Sequence, residues 1–236
     1  MNKVWIIIPA AGVGKRMESN VPKQYLKLHG QTVIEHTLSC FTHHPDVAGI
    51  IVALHPNDPY WPDLSIVSSA PIHIVEGGAE RSNSVLNALS FLNNQIASTS
   101  DYVLVHDAAR PCLSKEDLDS LLDHRKSDAG QGAILAMPVR DTMKREQEGC
   151  IHHTVEREGL WHALTPQMFS MSALYNALDS ALMGSKEVTD EASAMELSGM
   201  QPTLIEGDAS NIKITRPADL YLAEFFLQQE AGEEKE

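Results

Sequence analysis

Short apolar runs recur along the chain, separated by longer stretches in which hydrophobic and polar positions mix. The runs are Val4–Ile8, Val47–Leu54, Ile72–Val75, Tyr102–His106, Ala133–Val139 and Thr203–Glu206. Several lack polar alternation, as expected of parallel strands covered on both faces. The segments between them carry helix-start chemistry: Thr32-Val33-Ile34-Glu35 and Ser114-Lys115-Glu116-Asp117 fit the capping-box spacing. Thr189-Asp190-Glu191 opens another helix with two acids in its first turn, and Gly199 is placed to stop it. Pro217 suits the first turn of a last helix through Phe226. Strand–helix alternation predicts an α/β fold, a mostly parallel twisted sheet with helices on both faces. Such sheets bind ligands beyond the carboxyl ends of their strands, so residues just after strands are the candidates for chemistry. The polar stretch 140–160 reads as a β-arm leaving the sheet and able to reach a partner subunit. The 236 residues suit one domain over 1–236, with an acidic tail, 228–236, expected to fray.

Charge narrows the partners. With 18 basic against 32 acidic residues the formal charge is −14. An acidic chain repels nucleic acid and anionic membranes, so neither is expected as a partner. Any polyanionic ligand must be met by a local concentration of cations. A hydrophobic share of 43% and a charged share of 21% exclude disordered, collagen-like and disulfide-scaffold classes. Cys40, Cys112 and Cys150 lie far apart without a C-x-x-C pair, which suits a reducing cytoplasm. No apolar run approaches the roughly 18 residues of a membrane span. Lys3 followed by Val4–Ala11 imitates a signal peptide, but Pro9 interrupts the run and Gly12-Val13-Gly14-Lys15-Arg16 follows at once. A buried strand entering a glycine loop is the better description.

That loop is the strongest local signal. Ile8-Pro9-Ala10-Ala11-Gly12-Val13-Gly14-Lys15-Arg16-Met17 is followed by Pro22-Lys23-Gln24-Tyr25. Small residues after a strand let backbone N–H groups approach an anion closely. Lys15, Arg16, Lys23 and Lys27 bring four positive charges against the single acid Glu18, the cation concentration a polyanion needs. The glycine spacing excludes both the Walker A loop and the dinucleotide fingerprint. A second junction, Tyr102-Val103-Leu104-Val105-His106-Asp107-Ala108-Ala109-Arg110-Pro111, ends a strand in a carboxylate. Asp107 there either helps hold Mg²⁺ or caps the following turn. A third, Gly77-Gly78-Ala79-Glu80-Arg81-Ser82-Asn83-Ser84-Val85, either allows close backbone contact with a flat base whose edge Ser84 bonds, or is a plain β-to-α loop with Ser82 as N-cap. Lys213 sits on a short strand in Asn211-Ile212-Lys213-Ile214-Thr215-Arg216-Pro217. No histidine has metal-ligand spacing, and none is nominated as catalyst.

Taken in order, Ala-Ala-Gly-x-Gly-x-Arg-Met, Pro-Lys-Gln-Tyr, Gly-Gly-x-x-Arg-x-x-Ser-Val, His-Asp-Ala-Ala-Arg-Pro, Val-Arg-Asp-Thr, Leu-Trp-x-x-Leu-Thr-Pro-Gln, Thr-Asp-Glu-Ala and Asn-Ile-Lys-x-Thr-x-Pro resemble the 2-C-methyl-D-erythritol 4-phosphate cytidylyltransferase family from Ile8 to Pro217. The resemblance implies a Rossmann-like nucleotidyltransferase of non-mevalonate isoprenoid biosynthesis that joins CTP to methylerythritol phosphate. It also implies Mg²⁺ and a homodimer whose arms reach across to the partner's site. By the same resemblance Arg16 and Lys23 are transition-state stabilisers, and Arg157 and Lys213 position the sugar phosphate. Ala10, Ala11, Gly12, Gly78 and Ser84 fall at cytidine positions, with Gly14 and Lys15 in the same substrate loop. Asp107, Arg110, Thr142, Thr165 and Thr189 fall around metal, phosphates and sugar. Ala79 stands where some members have an acid, which leaves base readout there to the backbone. The rivals are a cytidylyltransferase for another polyol phosphate, such as ribitol 5-phosphate, and a non-catalytic nucleotide-binding regulator.

Overall fold

The computed structural model describes residues 3–12, 17, 21–96, 98–127 and 130–233. In chain order, β1 (Val4–Pro9) leads to a small hairpin, β2 (Lys27–Leu28) and β3 (Gln31–Thr32), and to α1 (Val33–Thr42). Then come β4 (Val47–Leu54), β5 (Ile72–Glu76), α2 (Arg81–Gln95), β6 (Tyr102–Val105), α3 (Lys115–His124) and β7 (Ala133–Pro138). A second hairpin, β8 (Met143–Gln147) with β9 (Cys150–Val155), precedes β10 (Trp161–Ser170) and α4 (Met171–Met183). The chain closes with α5 (Glu191–Leu197), β11 (Thr203–Glu206) and α6 (Pro217–Glu233).

Seven strands form one sheet in the order β11-β7-β10-β6-β1-β4-β5. Every neighbouring pair is parallel except those made by β10, which runs antiparallel between β6 and β7. Period-two alternation along uniformly apolar strands feeds two cores, one on each face. Val4, Ile6 and Ile8 of β1 pack with Ile34, Leu38 and Phe41 of α1 and with Leu118 and Leu121 of α3. Trp5 and Ile7 pack on the other face with Val85, Leu89 and Leu92 of α2 and Leu174 and Leu178 of α4. A strand flanked by such layers has no polar face, which is why its sequence shows no alternation.

Several local readings hold and others shift. Thr32 caps α1 with the full reciprocal box to Glu35, and Ser114 accepts from Asp117 N at 3.2 Å. At α5 the cap is Asp190, which leaves Glu191 as the single acid in the first turn. At α2 the cap is Glu80, and Ser82 lies inside the helix; Glu80 N donates to Asn83 Oδ1 at 3.2 Å. The last helix runs on to Glu233, so most of the stretch expected to fray continues it. Lys213 lies in an extended loop and not on a strand. Among the described residues, no helix is long and apolar enough to cross a membrane.

Topology dictates where a ligand can enter. The chain proceeds outward from β1 through β4 to β5, then returns to place β6 on the other side of β1. Loops leaving adjacent strands in opposite directions open a crevice at their carboxyl ends. The loops after β1 and β6 are those that carry Ala10–Gly12 and His106–Arg110.

Candidate active site

A cavity of about 280 Å³ fills that crevice. The post-β1 loop supplies Ala10, Ala11 and Gly12, the loop before α2 supplies Gly78, the first turn of α2 supplies Ser84, and Lys23, Asp107 and Lys213 complete the predicted set. Residues 190 positions apart in sequence, Lys23 and Lys213, therefore share one pocket, as a polyanion site in an acidic chain requires. Lys23 reaches it from the short 3-10 turn Lys23–Tyr25, and its Nζ donates to Ile214 O at 2.8 Å. The neighbouring Gln24 is buried and donates to Ala10 O at 2.8 Å and Gly12 O at 3.0 Å. One turn thus aims a cation and fixes the backbone of the glycine loop. Gly14, Lys15 and Arg16 lie outside the described residues.

The paired glycines serve internal packing as much as access. A Cβ on Gly77 would collide with Ala11 Cβ and come within 3.1 Å of Leu54 O and Ser84 Oγ. A Cβ on Gly78 would collide with Asn83. Only hydrogen side chains let the post-β5 loop close against the post-β1 loop. Ser84 Oγ accepts from Gly78 N at 3.0 Å and donates to Glu80 O at 3.2 Å, holding that loop from below.

Asp107 is the electrostatic centre. It is 7% exposed, with Arg81 Nε at 2.9 Å from Oδ1, Lys213 Nζ at 2.7 Å from Oδ2 and Arg110 Nε at 3.6 Å from Oδ2. Burial pushes its pKa up, but Arg81, Lys213 and Arg110 together overcome that and hold it far below the usual carboxylate range. Arg110 is itself buried, and its Nη1 donates to Asn211 O at 2.6 Å. Ile214 N donates to Ala109 O at 2.8 Å, which ties the loop bearing Lys213 to the loop bearing Asp107.

Thr165 reaches the site through an irregularity in β10. The β10–β7 register breaks between Ala163 and Gln167, around Pro166, which has no N–H for a ladder. Thr165 Oγ1 accepts from Asp107 N at 3.1 Å and lies 3.1 Å from His106 Nδ1. His106 Nε2 is 3.0 Å from Arg110 O, a carbonyl that can only accept, so Nε2 carries the proton and Nδ1 accepts from the Thr165 hydroxyl. Burial lowers the His106 pKa to about 4, which keeps this neutral tautomer in place. His106 braces the site, linking Arg110 O to the Thr165 hydroxyl.

The remaining predicted residues lie elsewhere. Thr189 is exposed just before α5. Thr142 and Arg157 are exposed at the base of the β8–β9 arm, where Arg157 Nη1 donates to Arg140 O; neither lines the cavity. Sequence reasoning overlooked Arg81 and Glu191. Arg81 Nη1 and Nη2 donate to Glu191 Oε1 and Oε2 at 2.6 and 3.0 Å, and Glu191 is 1% exposed. A signal existed for the arginine: a cation in the first turn opposes the helix dipole, so its presence asks for a nearby acid.

Two carboxylates, Asp107 and Glu80, line the cavity, and no group of three metal-ligating side chains occurs among the described residues. That donor set suits a hard cation held chiefly by substrate phosphates, since magnesium sites use one or two carboxylates with phosphate oxygens. An ionised carboxylate offers about four acceptor positions. Arg81 and Lys213 take two of them on Asp107 at hydrogen-bond distance.

The family model for 2-C-methyl-D-erythritol 4-phosphate cytidylyltransferase (IspD) matches residues 4–229. The chain is 51% identical over 229 residues to the 2-C-methyl-D-erythritol 4-phosphate cytidylyltransferase of Vibrio atlanticus, covering 97% of each. It is 54% identical over 217 residues to a Pseudomonas fluorescens protein of the same name, covering 92% of each. A crystal structure of a 4-diphosphocytidyl-2C-methyl-D-erythritol synthase superposes with a TM-score of 0.84 at 38% identity, over 96% of this chain and 99% of that one.

Proposed function

The chain belongs to the 2-C-methyl-D-erythritol 4-phosphate cytidylyltransferase family, and from that premise we propose how its cavity carries out the reaction. It transfers CMP from CTP to 2-C-methyl-D-erythritol 4-phosphate, giving 4-diphosphocytidyl-2-C-methyl-D-erythritol and pyrophosphate in isoprenoid biosynthesis. The observation that carries the mechanism is the meeting of Lys23 and Lys213 in one cavity with the two glycine loops. A phosphate oxygen of the sugar phosphate bonds to the α-phosphorus of CTP, and the bond from that phosphorus to the β-phosphate oxygen breaks. The attacking monoester has its second pKa near about 6 and is already anionic at neutral pH, so no general base is needed. The barrier lies in bringing anions together and in the charge on the departing pyrophosphate. Lys23 and Lys213 offset both as cations at the wall of the cavity. Arg16 takes the same role on the strength of its motif. Asp107, with the nucleotide's phosphates, would hold Mg²⁺, which would supply charge neutralisation at the phosphate oxygens. The experiment that tests the reading is pyrophosphate release from CTP and methylerythritol phosphate with Mg²⁺, with ribitol 5-phosphate as the rival acceptor.

Acidity should act through the substrate. His106 is neutral above about 4 and Asp107 is ionised well below its ordinary range, so neither titrates between pH 5 and 7. The expected kcat/KM for methylerythritol phosphate therefore falls as pH drops below about 6, following the phosphate dianion. A profile flat down to pH 5, measured by pyrophosphate release, would count against unassisted attack by the dianion.

The assembly we propose is a homodimer in the cytoplasm. Among the described residues β8 and β9 pair only with each other, and Ile151 on the arm is 68% exposed. An isolated two-stranded hairpin is marginal in water, so a partner is expected to cover it. Thr142 and Arg157 at its base would then complete the partner's cavity. Mixing Arg157→Ala with Lys23→Ala chains, each inactive alone, should restore up to about a quarter of the sites by random pairing. Verified heterodimers without activity would refute the shared site. Three free cysteines accord with a reducing compartment.

A further inference from the structure

Arg81 lines the cavity, yet its donors are turned to protein. Nε donates to Asp107 Oδ1 at 2.9 Å, and Nη1 and Nη2 donate to the two oxygens of Glu191 at 2.6 and 3.0 Å. Three of the five N–H donors of the guanidinium are so committed. Burial would lower the Arg81 pKa, but Glu191 and Asp107 raise it above the ordinary arginine value. Lys213 differs: its side chain is 41% exposed, and its ion pair is the single contact to Asp107 Oδ2 at 2.7 Å.

A charge count separates the two roles. Arg81 and Arg110 carry two positive charges, and Asp107 and Glu191 carry two negative ones, so this quartet, buried but for part of Arg81, is neutral. Lys23 and Lys213 stand outside that quartet, and both line the cavity, together with Glu80. A triphosphate that draws Lys213 away from Asp107 leaves the carboxylate still tied through Oδ1. Arg110 Nε, 3.6 Å from Oδ2, remains as its other counter-charge.

Arg81 also joins three loops. It is the first residue of α2, directly after the Gly77–Glu80 segment, of which Gly78, Ala79 and Glu80 line the cavity. Glu191 is the first residue of α5, two positions after Thr189. Gln167 of β10 braces that end, donating to Asp190 Oδ2 at 2.8 Å and accepting from Ala192 N at 2.9 Å.

We infer that Arg81, clamped by Glu191, is a positioning residue that fixes Asp107 through Oδ1 and leaves Oδ2 presented to the cavity when Lys213 turns to the phosphates. The inference rests on the cavity being the site of cytidylyl transfer. The planar fork gives Nε to Asp107 and both Nη atoms to Glu191, a fixed geometry that a lysine ammonium, a single point of charge, does not reproduce.

Arg81→Lys is the direct test, read by steady-state kinetics, by calorimetric titration of CTP without the sugar phosphate, and by thermal unfolding. The expected result is a kcat lowered at least about tenfold with the dissociation constant for CTP within about threefold of wild type, since misplacing a reacting group by about 1 Å costs on the order of a hundredfold. A smaller fall in kcat, or a fall matched by equal weakening of CTP binding, overturns the inference. If Arg81→Lys does not fold, the apolar pair Arg81→Met with Glu191→Leu, which removes both buried charges together, is read by the same two criteria. A wild-type chain that releases no pyrophosphate brings down the reading of the cavity and the inference with it. Wild-type turnover alongside an unimpaired variant brings down the inference alone.

Discussion

Lys23→Ala is expected to lower kcat at least about 100-fold, the loss typical of one transition-state donor, while the protein stays folded. The side chain is half-buried and reaches the cavity from a 3-10 turn whose other contacts do not depend on it. Gln24 continues to hold the Ala10 and Gly12 carbonyls, and Tyr25 N continues to donate to Pro22 O at 2.8 Å. What disappears is an ammonium anchored on Ile214 O, one residue from Lys213. The two lysines are thus placed at a common point by the backbone of the 211–215 loop. A ground-state role would raise the KM for CTP and spare kcat, whereas a role in meeting the charge of departing pyrophosphate lowers kcat itself. Steady-state pyrophosphate release, with unfolding temperature as control, separates these outcomes. Turnover within a few-fold of wild type would refute the assignment.

The sequence made Lys23 visible because its function and its neighbours lie close together in the chain. The basic cluster around the first glycine loop stands out against a charge of −14, and the uniformly apolar run ahead of it marks a central strand. The same logic places β4, whose apolar run carries its own boundaries. β10 was not legible. Its ladder to β6 and β7 is non-local, and Thr165-Pro166 in its middle reads as a strand breaker, although that break is what delivers Thr165 to Asp107. The Arg81–Glu191 pair spans 110 positions, and neither residue is unusual in its own segment. Even the cap of α2 misleads, because Ser82 has the better intrinsic propensity and Glu80 takes the position. Strands and their loops follow from local pattern, whereas the buried charge network is a property of the assembled sheet.

That network makes Asp107→Asn the substitution with the widest expected consequences. Asparagine keeps the shape and loses the charge, so Arg81, Arg110 and Glu191 are left with one uncompensated positive charge in a buried cluster. Removing one partner of a buried ion pair costs about 3–5 kcal/mol. Lys213 is partly exposed and can turn to solvent, which places the expected cost near the lower end of about 3 kcal/mol. In a chain of this size that lowers the unfolding temperature by roughly 6–12 °C. Activity should fall by more than about 100-fold, because the carboxylate proposed for Mg²⁺ and the tether of Lys213 vanish together. The pH dependence identifies the cause. The Asp107 pKa is depressed in the folded protein, so its stabilisation is fully present above the unfolded value near about 4. It declines as pH falls below that value towards the lower folded one. The stability gap between wild type and Asp107→Asn should therefore be constant from pH 5 to 8 and about 1 kcal/mol smaller at pH 3, by urea unfolding. A gap unchanged at pH 3 would mean that the aspartate stabilises the fold by its shape and hydrogen bonds, without the charge on which the arrangement of Arg81, Arg110 and Lys213 depends.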